Sequence, residues 1–362
     1  MSVSAQRIST TVSLNDGRVR VGLQVGRWLT HGSFPYAWLV LILAAVGIPL
    51  VSGDYWLNAI LIPFLILSLA GLGLNLLTGY AGQTSLGSGG FMAVGAFATY
   101  AFLIHFQLSF LLAIFLGGAV AALVGLFFGL PSAKIKGFYL MVTSLAAQFF
   151  LEWVFVKFPW FYNYSSSATL SSPPMTVLGW DIASPVSKYY LVLLLVAFLT
   201  WIAVNLTRSQ AGRNWMAIRD MDTAAAVIGI RVHRSKILAF AISSFYLGIA
   251  GALWVFAYLG SAGVQSFGLQ RSFQILFIII IGGLGSISGN FIGAAFISLL
   301  PLLLDYIAHT FFAGMVDAGL LQNLQKVIFG SLIVWFLIKE PEGIARFISH
   351  LRGRLSVWPL RF

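Results

Sequence analysis

The chain contains no cysteine, which excludes disulfides, thiolate metal sites and cysteine nucleophiles. Charge is nearly as scarce. Asp, Glu, Lys and Arg make up 9% of the 362 residues, where soluble domains run near about 25%. Acidic groups are the scarcer sign, 10 against 21 basic ones. No Gly-Lys dipeptide occurs, so a P-loop is absent and the chain does not hydrolyse ATP by that route. No Gly-x-Ser-x-Gly occurs either, and His31, His105, His233, His309 and His350 are scattered without metal-ligand spacing. Paired carboxylates are missing from the apolar stretches, so nothing suggests an enzyme, and no cofactor or metal is expected in this chain.

What is present is hydrophobic: 59% of residues, with a mean hydropathy of +0.93. A soluble chain of this composition would expose large apolar patches, so the solvent facing most of it is lipid. A spanning helix needs about 20 apolar residues. That length selects ten stretches: 36–52, 57–78, 90–106, 108–130, 138–157, 188–207, 237–259, 272–285, 289–312 and 320–338. The eighth is short and reads as a broken element. The fold class expected is an all-α polytopic membrane protein. Residues 1–35 form an N-terminal arm, 36–338 the membrane domain, and 339–362 a basic tail.

The net charge of +11 sits mainly between the apolar stretches, as the positive-inside rule requires, and does not suggest a nucleic-acid partner. Arg7, Arg18, Arg20 and Arg27 precede the first stretch, and no small-residue cleavage site follows a short apolar core, so no signal peptide is expected. The loop 208–236 carries Arg208, Arg213, Arg219, Arg231, Arg234 and Lys236, and the tail carries Lys339, Arg346, Arg352, Arg354 and Arg361. Six spans separate arm from loop and four separate loop from tail. All three basic regions therefore fall on one side, the cytoplasm. The cation-poor segment 158–187 falls outside, where Trp153, Trp160, Tyr162, Tyr164, Trp180, Tyr189 and Tyr190 make an interfacial belt or a rim for an external partner.

Three features bear on function. Tyr80–Phe97 and Ile281–Gly293 interrupt the spans with glycines and small hydroxyls. Irregular backbone at membrane depth survives only where protein or water surrounds it, so Gln83, Thr84, Ser85, Ser88, Ser286, Ser288 and Asn290 are candidate substrate-pathway residues. The alternative is a pair of plain turns. The basic stretch Gly212–Ile230 places Trp215, Ile218, Asp222, Ala225 and Gly229 near helical spacing, an apolar stripe to be covered by lipid or by a partner. Glu152 and Asp305 are acids within or near spans. Glu152 reads as interfacial, whereas Asp305 would serve an ion-coupled secondary transporter of a small polar solute, the alternative function.

Small residues also recur at Gly117, Ala121, Gly125 and Gly129, and at Gly285, Gly289 and Gly293, as helix-packing faces. A faint repeat pairs Gly82 with Gly282, Ser88 with Ser288, Gly89 with Gly289 and Phe91 with Phe291.

In order along the chain stand GYAGQTSLG, GRNWMAIRDMDTAAAVIGI, KILAFAISSFYLGIAGAL, IIIIGGLGSISGNFIGAAF and NLQKVIFGSLIVWFLIKEPEG. Together they resemble the M-type permease subunit (LivM type) of the branched-chain amino-acid ABC importers, over roughly residues 55 to 345. The resemblance implies an importer of the bacterial inner membrane. In it this chain would pair with an H-type permease subunit, two cytoplasmic ATP-binding subunits that hold ATP and Mg, and a periplasmic or extracellular substrate-binding protein. It also implies that Gly212–Ile230 is the coupling loop, with Arg213, Trp215, Arg219, Asp222, Ala225 and Gly229 facing the ATPase. Ala224, Ala225 and Gly229 match the E-A-A-x-x-x-G core, Thr223 replaces its glutamate, and Asp222 stands one place earlier. Gln83, Ser85 and Gly87 match Gly-Gln-x-Ser-Leu-Gly, while Ser88 stands where the family often has histidine. Glu-Pro-Glu-Gly at 340–343 departs from the usual Arg-Pro-x-Gly. The family's substrates extend to urea, short amides and carboxylic acids; branched-chain or other hydrophobic amino acids are the expected ones here.

Overall fold

Lipid offers no hydrogen bonds, so each backbone N–H and C=O at membrane depth must be paired within the protein. The fold follows from where that is done by helices and where by something else. The computed structural model describes residues 53–132, 137–165, 167, 169–173, 176–177, 180–182 and 184–311, with fragments 323–324, 327–328, 330–331 and 343–345. Among these, eight helices are long and apolar enough to cross a membrane, and they coincide with eight of the ten expected spans. The spans 36–52 and 320–338, the N-terminal arm and the tail lie outside the described residues or survive in them only as those fragments.

The helices are α1 (Asp54–Tyr80), α2 (Ser88–His105), α3 (Phe110–Ser132), α4 (Phe138–Lys157) and α5 (Pro185–Arg208). Two short helices follow, α6 (Gln210–Asp220) and α7 (Asp222–Val227). Then come α8 (Val232–Leu259), α9 (Leu269–Gly282) and α10 (Ile287–Phe311). Helices α1 and α8 form the centre, 89% and 78% buried over their apolar windows, whereas α10 is 28% buried.

Small residues let the central helices touch. A Cβ on Gly95 of α2 would collide with Gly248 of α8, one on Gly248 with Ala121 of α3, and one on Gly251 with the Met92 backbone. The Gly117–Gly129 stripe is thus used inside the bundle: Gly117 meets Thr99, Gly125 meets Ser244 and Gly129 meets Phe240. Gly289 and Gly293 serve the α9–α10 hairpin in the same way, against Gly282. Side chains add long-range ties where a backbone carbonyl offers an acceptor. Asn290 Nδ2 donates to Ser68 O (2.7 Å), joining α10 to α1, and Tyr246 Oη donates to Leu199 O (2.8 Å), joining α8 to α5.

Two helix pairs are interrupted in one manner but in opposite directions. Helix α1 ends in a π-helical turn (Leu76–Tyr80), passes through Gly82 at φ +68°, and runs non-helically to Gly87 before α2 starts. Helix α8 ends in a π-helical turn (Trp254–Leu259), passes through Gly260 at φ +73°, and runs to Gly268 before α9 starts. A positive φ at this point favours glycine. Tyr80-x-Gly82 therefore corresponds to Tyr258-x-Gly260. The offset of about two hundred residues read from the sequence is a different correspondence, which aligns the start of α2 at Ser88 with that of α10 at Ile287.

One end of the bundle carries α6, α7 and the 283–286 turn. The other carries short strands β1 (Thr169–Ser171), β2 (Thr176–Val177), β3 (Trp180–Asp181) and β4 (Ser261–Gly263). Strands β1 and β4 pair antiparallel, with Leu170 opposite Ala262, and β2 pairs with β3.

Candidate functional site: two helix breaks and a coupling elbow

The starts of α2 and α9 meet inside the bundle. A Cβ on Gly89 would strike Phe267 O, so only glycine permits this approach. At 14 residues, α9 is about 21 Å long, short of the roughly 30 Å hydrocarbon thickness. With the 3-10 turn Val264–Phe267 before it, α9 makes a 19-residue candidate span, Val264–Gly282, so its first residues fall inside that span, and the start of α2 lies beside them.

Backbone groups at this junction are satisfied by side chains. Gly89 N–H donates to Ser272 Oγ (2.8 Å), Gly90 N–H donates to Gln148 Oε1, and Gln148 Nε2 donates to Phe267 O (2.8 Å) and Glu152 Oε1 (2.6 Å). Leu86 N–H donates to Ser144 Oγ (2.9 Å). Gln148, fully buried, thus fastens α2, α4 and the start of α9. Glu152 belongs to this network through Gln148 and lies close to Gly268. A glutamine one helical turn before Glu152 was the available signal for this network.

The sequence-selected pathway residues separate into two groups. Gln83, Ser85 and Ser88 are buried along the α1–α2 break, and Thr84 is half-buried. Gln83 is held by its backbone, its N–H donating to Leu77 O (3.1 Å) and its carbonyl accepting from Thr78 Oγ1 (3.0 Å). Its side-chain Oε1 and Nε2 are buried without a hydrogen-bond partner among the described residues, and so is Ser88 Oγ. Ser85 Oγ accepts from Gly87 N–H (3.3 Å).

The second group lies at the α9–α10 turn. Ser286 Oγ accepts from Gly289 N–H (3.0 Å), capping α10, and lies 3.3 Å from the hydroxyl of exposed Ser288. Asn290 is fully buried against α1. Asn75, absent from the sequence selection, joins this turn to α1. Its Nδ2 donates to Ser286 O (2.9 Å) and its Oδ1 accepts from Gly285 N–H (2.9 Å). A lone asparagine in an apolar run was the signal available. Asp305 falls on α10, and its side chain lies outside the described residues.

The coupling stretch folds into an elbow, α6 then α7, with a buried root and an exposed tip. The apolar stripe is covered by the chain itself. Trp215 is fully buried with Nε1 donating to Ser235 O (3.0 Å), Ile218 and Ala225 are buried, and Lys236, also buried, lies 3.6 Å from Asp222. Arg213 Nη1 donates to Arg208 O (2.8 Å), closing the α5–α6 corner. Gly229, at φ +90° in open space, turns the chain out of α7. Exposed are Met221 (62%), Val227 (87%) and Ile228 (72%), none of which the sequence reading selected.

Arg219 points inward from this elbow. Its Nη1 donates to Gly79 O (2.9 Å) at the end of α1, while Asp220 holds its Nη2 at 3.0 Å. A Cβ on Gly82 would lie 3.0–3.2 Å from Arg219, and one on Gly285 would lie 3.1 Å from its Nη1. One guanidinium side chain therefore touches both glycine-rich segments.

Comparison with known proteins agrees with this geometry. Residues 57–337 match the family described as branched-chain amino acid transport system / permease component. The high-affinity branched-chain amino acid transport system permease protein LivM of Escherichia coli is 28% identical over 76% of this chain and 66% of its own length. The probable LivM of Methanocaldococcus jannaschii is 25% identical over 65% of this chain and 67% of its own. An autoinducer 2 import system permease protein, LsrC of an Enterobacter strain, is 28% identical over 56% and 60%. The chain thus spans about two thirds of the length of the curated relatives it matches. No solved structure matches it. With the family match running over most of its length, this multi-pass membrane chain belongs to the family of branched-chain amino acid transport system permease components.

Proposed function

We propose that the chain forms half of the translocation pathway of an ATP-driven importer of branched-chain or other hydrophobic amino acids, and couples through α6–α7 to a separate ATPase. On this reading the bundle end carrying α6 and α7 is cytoplasmic, because Arg208, Arg213, Arg219, Arg231, Arg234 and Lys236 gather there. The partners are an H-type permease subunit, two ATP-binding subunits and a substrate-binding protein on the opposite face. ATP and Mg belong to the ATPase pair.

The observation that carries the reading is the two-faced elbow. Its root is locked into the bundle by Trp215, while Met221, Val227 and Ile228 stand out into solvent. Exposed apolar side chains at the end of a rigid lever call for a partner's cleft. Closure of the ATPase pair would push this lever, and Arg219 would pass the movement to Gly79, Gly82 and Gly285. The bundle could then rock about its broken helices, as in other transporters.

The experiment is co-purification of the chain with its ATP-binding subunits, using a variant with Met221, Val227 and Ile228 all changed to Ser. Loss of the ATPase from an otherwise intact permease pair is expected. Retention of the ATPase by the triple variant would refute the docking assignment.

A further inference from the structure

We propose that Arg271, with the indole N–H of Trp254, receives the carboxylate of the transported amino acid inside the membrane. The proposal rests on the amino-acid reading above and adds to it a site and a recognised chemical group.

Arg271 lies in the first turn of α9, about 16 Å along the helix from Gly282. It is thus a cation within the membrane thickness. Such residues face a polar path or a partner charge and do not face lipid tails. Its guanidinium carbon sits 4.1 Å from the Trp254 ring centroid, its Nη1 donates to Gln274 Oε1 (2.5 Å), and its Nε makes a long contact with Ser266 O (3.4 Å). These contacts orient the group without neutralising it. Among the described residues no carboxylate forms an ion pair with Arg271. Glu152, which reaches the start of α9, is engaged by Gln148. A half-buried cation without a counter-charge is costly in this setting, and an incoming carboxylate would remove that cost.

Three further observations point to the same spot. Trp254 is 5% exposed, and its Nε1–H is buried with no acceptor among the described residues, leaving a donor beside the guanidinium. The start of α9 adds the positive end of a helix. The surrounding face is polar where lipid would demand apolar groups: Gln270 is exposed, and Arg271 and Gln274 are half-buried. Tyr258, 37% exposed with its ring 4.8 Å from that of Trp254, offers an apolar wall for an aliphatic side chain. A guanidinium fork paired with a second N–H donor suits a carboxylate and has nothing comparable to offer an amide.

The test uses the full complex with its partner subunits in nanodiscs. Binding of labelled leucine is measured without the substrate-binding protein, with unlabelled leucine or leucinamide as competitor. ATP-driven uptake is measured beside it at saturating binding protein. The wild type should prefer leucine over leucinamide. Arg271→Gln should lower leucine affinity by about tenfold or more, consistent with loss of a charged hydrogen bond, and erase the preference for the acid. Arg271→Lys should recover part of both, and Trp254→Phe should fall between. An Arg271→Gln complex that binds and transports leucine like the wild type, with the acid preference intact, would overturn the proposal alone. Release of the H-type subunit by Arg271→Gln would also overturn it, by assigning the missing carboxylate to the partner. A wild-type complex that ignores leucine but drives another solute with ATP would sink the amino-acid reading, and this site with it.

Discussion

The two helix breaks use one backbone device but are held from opposite ends of the bundle. At the α1–α2 break, Gly82 lies against Arg219 of the elbow, which also bonds Gly79 O. At the α8–α9 break, Gly260 has open space around its Cβ position, and its carbonyl accepts from Ser172 N–H (2.7 Å), next to the β1–β4 pairing. The first break is therefore gripped by the basic loop and the second by the segment at the far end. Their polar contents differ as well. The first buries the side-chain polar atoms of Gln83 and Ser88 without hydrogen-bond partners among the described residues, whereas the second presents Arg271 and Gln270 on a partly open face. Two similar breaks meeting at Gly89 are thus tied to opposite ends of the bundle, one to the α6–α7 elbow and one to the β1–β4 segment.

The comparison can be broken most completely where the breaks meet. Gly89→Val drives a side chain into Phe267 O and should separate the α2 and α9 starts. Overpacking of this kind costs about 1–3 kcal/mol or more, so folded protein should largely disappear in a detergent size-exclusion profile. A monodisperse Gly89→Val would show that the junction is not close-packed.

Arg219→Ala should split coupling from assembly. The ATPase stays bound and active while uptake falls by about tenfold or more, since a charged hydrogen bond is worth roughly 1.5–3 kcal/mol. Uptake per ATP hydrolysed is the quantity to follow. An unchanged ratio would mean that the elbow moves the bundle by another route.

Gln83→Leu sharpens the contrast within the first break. Its side chain has no partner to lose among the described residues, so thermal stability should hold or rise by up to about 1 kcal/mol. Uptake should nevertheless drop if the amide faces the substrate path. Equal loss of both would make Gln83 a structural residue.

The smallest effect separates the two glycines. Gly260→Ala meets only the backbone penalty of a positive φ, of order 1 kcal/mol, whereas Gly82→Ala meets that penalty and the Arg219 side chain. Thermal melts should rank Gly82→Ala as the more damaging. The reverse order would remove Arg219 from the first break.

Much of the fold was legible because hydropathy reports helices directly: eight spans stand where the apolar runs placed them. The start of α9 was not, because Gln270 and Arg271 broke the apolar run and moved the expected boundary to 272. Arg271 thereby fell outside a span and escaped notice as an intramembrane charge. The apolar stripe at Trp215 was legible, but its cover was not, since burial against the chain's own helices and burial in a partner leave one periodicity. Asn75 and Gln148 were visible as lone polar residues; what they bond is a matter of tertiary contact over 210 and 119 residues of separation. The inverted pairing of the breaks was hidden for a related reason. Tyr-x-Gly recurs, but glycine-rich segments align as readily at another offset.

The central claim is tested most directly by labelled leucine uptake into vesicles holding the chain with its H-type subunit, ATP-binding subunits and binding protein, with and without ATP. The account predicts uptake that requires ATP hydrolysis and is indifferent to ionophores. Leucine uptake that proceeds without ATP and collapses on adding an ionophore would contradict it.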